Sequence, residues 1–147
     1  MSDRHAAVVR RFIEDFLGRG DLRVADETAH ERIQGITGLK PTGPIDGRDE
    51  YKQTIAAFVD AFPAEEPLNI LDQFTSSDGS RVVTRFQSRQ RHAKAFFGVE
   101  ATNRVILFDE THVARLEGGL IVENIVSATN LEFEMLMAPV LAPLILR

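Results

Sequence analysis

Cysteine is absent from this sequence, and so is tryptophan, while tyrosine occurs only once. Without cysteine there is no disulfide framework, no thiolate nucleophile and no cysteine-ligated zinc. An excess of positive charge is lacking too: 17 Lys and Arg stand against 22 Asp and Glu, a formal net charge of −5. Nucleic-acid binding through phosphate neutralisation needs a basic footprint, so no such partner is expected. No apolar run has the length of a membrane span or the form of a signal peptide, and the expectation is a cytoplasmic protein with no membrane attachment. What the chain does have is 44% hydrophobic residues in a length of 147. That suffices for one compact domain over residues 1–147 with a real core.

Val8, Val9, Phe12, Ile13, Phe16 and Leu17 recur at helical spacing, with Ser2 or Asp3 as a cap and Gly18 and Gly20 to end the helix. A second helix is predicted from Leu22 to about Ala29, capped by Asp21. Gly35 to Gly47 holds four glycines with Pro41 and Pro44, and reads as an irregular loop at a cavity mouth. Asp46 then caps a third helix, from about Arg48 to Phe62, which Pro63 stops. A hairpin follows, Leu68 to Thr75 against Arg81 to about Gln90, turning at Asp78-Gly79 and setting Asp72 opposite Arg85 as an ion pair. The end of the chain, residues 131–147, reads as a short helix over Leu131 to Met137 and an apolar tail interrupted by Pro139 and Pro143.

The most informative stretch is a second hairpin, Val105 to Leu116 against Leu120 to Ala128, around a Gly118-Gly119 turn. Counting outward from a two-residue turn pairs Leu116 with Ile121, Ala114 with Glu123, His112 with Ile125, Glu110 with Ser127 and Phe108 with Thr129. Both faces then have polar residues amid apolar ones, as strands lining a partly polar cavity would. Asn124 and Asn130 fall on the face away from His112. Helices followed by successive strands give an α+β domain: a cone-shaped, curved antiparallel sheet packed against three N-terminal helices and enclosing a pocket.

Gly47-Arg48-Asp49-Glu50-Tyr51, followed by Phe58 and Phe62-Pro63, resembles the Gly-Arg-x-x-Tyr…Phe-Pro stretch of SnoaL-like polyketide cyclases, an ester cyclase group in the nuclear transport factor two-like superfamily. His92, Phe96, Gly98, Thr102 and Arg104-Val105 resemble the cavity-loop segment of that family, and Arg115, Gly119 and Ile121-Val122-Glu123 its hairpin. The resemblance implies a cystatin-like α+β roll, a homodimer and a cofactor-independent cyclase or isomerase. The sequence departs from the family at Gly35, where a His is common, at Ile125 and Ala128, where tryptophans stand, and at Thr129, where relatives carry an Asp.

Glu110 and His112 lie two apart on one strand and therefore share a face. A carboxylate beside a histidine suits removal of a proton next to a carbonyl, the step that aldol cyclisation and double-bond isomerisation share. These two are the candidate catalytic residues. His92, Phe108, Tyr51, Phe12, Phe16, Phe58, Ile125 and Thr129 are candidate ligand contacts for a hydrophobic, polyketide-like carbonyl compound. No metal site and no cofactor is expected. The competing reading is a non-catalytic small-molecule-binding or accessory protein of the same fold.

Overall fold

The computed structural model describes residues 2–40 and 42–145, without the side chains of Ser2 and Ile145. The side chain of the expected Ser2 cap, Pro41 of the loop and the last two residues of the apolar tail lie outside what is described, and Asp3, the alternative cap, lies within the first turn of the helix. The order is α1 (Ser2–Arg11), a π-helical turn (Phe12–Leu17), α2 (Leu22–Thr28), β1 (Ala29–Ile36), β2 (Ile45–Asp46), α3 (Arg48–Ala61), β3 (Asn69–Thr75), β4 (Arg81–Arg91), β5 (Val105–Glu117), β6 (Leu120–Ala128) and α4 (Leu131–Ile145). The fold is α+β, with one six-stranded sheet in the order β2-β1-β6-β5-β4-β3. All neighbours run antiparallel except β1, which lies parallel to β6.

The first helix ends in a wider turn, closed by the Gly18 N–H donating to the Ile13 carbonyl at 2.8 Å. This brings Phe12, Ile13 and Phe16 together onto the sheet, each fully buried. Burying a side chain of that size contributes about 1.5–3 kcal/mol. Asp21 caps α2 as expected, accepting from the Arg23 N–H. Asp46 does not cap α3. It belongs to β2, where its carboxylate accepts from Gln34, and Gly47 occupies the cap position instead.

Two further expectations are corrected. The glycine-rich segment is not irregular from Gly35 onward, because Ala29–Ile36 forms a strand that pairs on both edges. Its residues carry little β propensity, and the pairing is imposed by burial of Ile33 and Ile45 between sheet and helices. The C-terminal segment is one helix through Pro139 and Pro143. Each proline removes a backbone donor. The stripe Phe133, Leu136, Met137, Val140 and Leu141 nonetheless holds α4 against Phe58, Phe62, Phe96 and Phe108.

The Gly118-Gly119 turn has positive φ at both residues, 59° and 81°, as a type I′ hairpin requires. The counted register holds for the two pairs next to it, Glu117 with Leu120 and Leu116 with Ile121, and then changes. Arg115 pairs with Glu123, so Val122 is an extra residue, a β-bulge. Every β6 side chain beyond Val122 therefore exchanges faces. Asn124, Val126 and Ala128 share the inner face with Ala114, His112 and Glu110, while Ile125 pairs with Val113 on the outer face.

Asp72 does oppose Arg85, but the guanidinium bonds across the other edge of β4, to Asp109 at 2.8 and 3.1 Å. These bonds, with a third from Gln87, hold the Asp109 carboxyl below its usual range. A carboxyl lowered in the fold adds stability above its unfolded value of about 3.9 and loses it as pH falls through the folded value. Both partners touch solvent, so the effect is small. Melting temperatures followed from pH 6 to pH 2 are expected to show wild type above Asp109→Asn by a few degrees at most near neutrality, with the gap closing below about pH 4.

Candidate active site

The two apolar cores of the molecule meet at a cavity of about 40 Å³. Tyr51, Ile55 and Phe86 line it from one core, and Phe58 and Phe108 from the other. Glu110, His112 and Ser88 bring polar groups to its wall.

The polar groups form one chain of hydrogen bonds whose polarity is forced from one end. The Asn130 side-chain carbonyl accepts from the Asp109 backbone N–H at 2.7 Å, which fixes the orientation of the amide. Its Nδ2 must then face the Glu110 carboxylate, and it donates to Oε2 at 2.8 Å. The other carboxylate oxygen, Oε1, is 2.9 Å from His112 Nε2. An ionised carboxylate only accepts, so Nε2 carries a hydrogen, and in the neutral ring Nδ1 is bare. Asn124 Nδ2 supplies that nitrogen with a donor at 2.9 Å and gives its second hydrogen to the Tyr51 hydroxyl oxygen at 3.1 Å.

Two consequences follow. Both nitrogens of His112 are engaged, and the ring is buried against Phe86 at a centroid distance of 5.0 Å. Glu110, by contrast, accepts one bond at each oxygen and keeps lone pairs free at the cavity wall. Tyr51 accepts from Asn124, which leaves its own O–H hydrogen unspent beside the same cavity. Burial, and to a lesser extent the Glu110 charge, push its pKa up to about 12 against the bond from Asn124, so the phenol stays protonated. Asn124 Oδ1 is buried without a hydrogen-bond partner.

Of the residues predicted from sequence, Glu110, His112, Tyr51, Phe58 and Phe108 converge on the cavity. Phe12 and Phe16 lie behind Tyr51, with ring centroids 5.6 and 5.8 Å from it, and support the ring from the core. His92 is fully buried in the second core, stacked on Phe62 at 4.6 Å, and is neither in the cavity nor at its rim. Its Nδ1 accepts from the Thr102 N–H, and burial lowers its pKa. The bulge carries Ile125 to the outer face, and Thr129 lines an outer cleft with Arg85, Asp109 and Thr111. The counting missed Asn124 and Asn130, which it aimed away from His112. Nothing in the residue types around Val122 marks a bulge.

Gly35 allows the Tyr51 ring its position: a Cβ there would lie 2.6 Å from Tyr51 Cε2 and 3.1 Å from Cζ. Gly35→Ala therefore forces the ring to move, at a cost of about 1–3 kcal/mol. Since the chain has no tryptophan, tyrosine emission reports Tyr51 alone, and the variant is expected to change it as well as lower the urea midpoint. In the folded protein the phenol is expected to titrate near pH 12 by absorbance, against about 10 unfolded. A phenol whose folded value is raised stabilises the fold fully below the unfolded value. Stability should therefore fall as pH rises from about 10 toward 12, and Tyr51→Phe should abolish that fall.

The family model for the SnoaL-like polyketide cyclase matches residues 7–134. No curated protein matches the sequence. Among solved structures, a protein of Jannaschia sp. CCS1 assigned as a SnoaL-like polyketide cyclase superposes with a TM-score of 0.80 at 16% identity, over 92% of each chain. IdmH of Streptomyces antibioticus, assigned as a polyketide cyclase, gives 0.70 at 20% identity over 91% of this chain and 98% of its own. AclR of Streptomyces galilaeus, assigned as a hydroxylase, gives 0.74 at 16% identity over 92% of this chain and 85% of its own. At these identities the structural likeness concerns the fold, and more than one activity is named on it. With the model matched over most of its length, the chain belongs to the SnoaL-like polyketide cyclase family.

Proposed function

We propose that this protein is a cyclase or isomerase that works by proton transfer on a hydrophobic carbonyl compound, with Glu110 as the base. The observation that carries the reading is the fixed donor pattern around one carboxylate. His112 Nε2 already holds a hydrogen and Nδ1 is covered by Asn124, so the imidazole has no free site for a substrate proton. Of the pair expected to carry the proton transfer, Glu110 is the acceptor and His112 the residue that orients it.

In the proposed step a C–H bond next to the substrate carbonyl breaks and its proton moves to a Glu110 oxygen. The electron pair shifts into the carbonyl, whose oxygen becomes an enolate. The Tyr51 O–H, unspent and held protonated, donates to that oxygen; removing one such donor typically costs about 10²–10³ in rate. For ring closure the enolate carbon attacks a second carbonyl carbon, and the new alkoxide takes the proton back from Glu110. For isomerisation the proton returns to a different carbon. Neither route changes the oxidation state of the pair, and a positioned base supplies about 10²–10⁴ of the acceleration. Membership in a cyclase family and neighbours assigned as polyketide cyclases support the reaction class.

The test is exchange of the α-protons of butanone in D₂O, followed by proton NMR. The folded protein should accelerate exchange above buffer, Glu110→Gln should lose at least 10²-fold, and Tyr51→Phe should lose on the order of 10²-fold. Exchange no faster than buffer in wild type, unchanged by Glu110→Gln, would leave a binding protein of the same fold.

A further inference from the structure

The inner cavity beside Tyr51 and Glu110 is too small for a polyketide-like molecule. A water requires about 10–15 Å³ measured this way, so about 40 Å³ holds about three. Ligand sites ordinarily offer about 300–1,000 Å³. Only the reacting segment of a substrate fits, and its remainder must lie elsewhere.

Three larger cavities stand near enough to consider. One of about 480 Å³ is lined by Glu14, Arg19, Glu65 and Glu66 and does not include Glu110. A second, of about 370 Å³, lies against α3 beside Lys40 and Glu50 and shares only Leu39 with the inner cavity, again without Glu110. The third, of about 280 Å³, lies between β6 and α4, and Glu110 is part of its wall. It shares Thr37, Leu39 and Val126 with the inner cavity as well. Asn130, which holds Glu110 Oε2, also lines this cleft, whereas His112, which holds Oε1, lines the inner cavity. The same carboxylate thus borders two spaces.

We infer that the cleft between β6 and α4 is a second subsite, which holds the apolar remainder of an uncharged substrate while its carbonyl segment occupies the inner cavity. The inference rests on the proposed role of Glu110. Ala128 on β6 and Phe133 and Leu141 on α4 give the cleft apolar walls. Among the described residues, neither lining contains Lys or Arg, and the charged side chains in them are Glu110 and Glu134. A carboxylate, phosphate or other anion entering there meets repulsion from these two carboxylates and no counter-charge among the described residues. The occupant is therefore a neutral ketone with a one- or two-ring apolar body, the size that a space at the lower end of the ordinary range accepts. Leu39 packs against both cores and lines all three of the inner cavity, this cleft and the one beside α3.

The experiment compares binding of neutral 2-acetylnaphthalene and anionic 2-naphthoate by calorimetry at pH 7, using the full chain. Wild type should bind the ketone at least tenfold more tightly than the carboxylate. Ala128→Phe and Leu141→Trp, which fill the cleft from opposite walls, should each weaken ketone binding at least tenfold while circular dichroism and melting show a retained fold. In unsubstituted protein, intermolecular NOEs from the naphthalene protons should reach the Ala128 and Leu141 methyl groups, an arm that needs no variant to fold. Equal binding of ketone and carboxylate, undiminished binding in both folded variants, or NOEs confined to residues outside the cleft would each overturn the inference. Failure of butanone exchange would overturn the role of Glu110 and leave these binding results readable on their own.

Discussion

One extra residue in β6 decides the chemistry of the interior. Strand side chains alternate between faces, so the bulge at Val122 exchanges the two faces for all that follows it. Without it, Glu123, Ile125 and Ser127 would face His112, and Asn124 would point away from the helices. With it, the Asn124 amide lies between His112 and Tyr51 and joins a strand to a helix that is distant in sequence. From there every donor and acceptor is determined in turn. A backbone N–H orients Asn130, Asn130 and the carboxylate set the histidine tautomer, the histidine sets Asn124, and Asn124 leaves the phenol its hydrogen.

Such a chain is an expensive way to fill space between aromatic residues. Each buried polar group loses water, and a hydrogen bond in the fold returns a net contribution of only about 0.5–1.5 kcal/mol. Apolar side chains of similar volume would serve stability at least as well. The one unpartnered atom in the chain, Asn124 Oδ1, adds a further cost. Stability alone therefore gives no reason for five polar side chains here. What the five provide together is a fixed set of donors around the Glu110 carboxylate.

The parts of this arrangement legible in the sequence are those carried by local rules. Helical spacing gives α1 to α3, Asp21 gives the cap of α2, and paired glycines give the hairpin. Alternation on a single strand joins Glu110 to His112. What the sequence conceals is cooperative in origin. β1 is built from residues with weak strand preference and exists because Ile33 and Ile45 are sealed beneath α3. α4 continues through two prolines because one apolar stripe is held by the phenylalanine core. The bulge has no turn residue or glycine to announce it, so counting placed Asn124 and Ile125 on each other's faces. Asn130 lies past the end of β6, where strand alternation has no authority.

The parallel pairing of β1 with β6 has a temporal meaning. It joins residues 29–36 to residues 121–125, so the sheet closes only once nearly the whole chain is available. The Tyr51–Asn124 bond spans 73 positions and the Asn130–Glu110 bond a further 20. Contacts this remote in sequence form late, after the loop-closure entropy of the intervening chain has been overcome. A nascent chain still short of residue 130 contains the residues of α1 to α3 and of the first hairpin but lacks Asn130, so the hydrogen-bond chain around Glu110 is completed only late in synthesis.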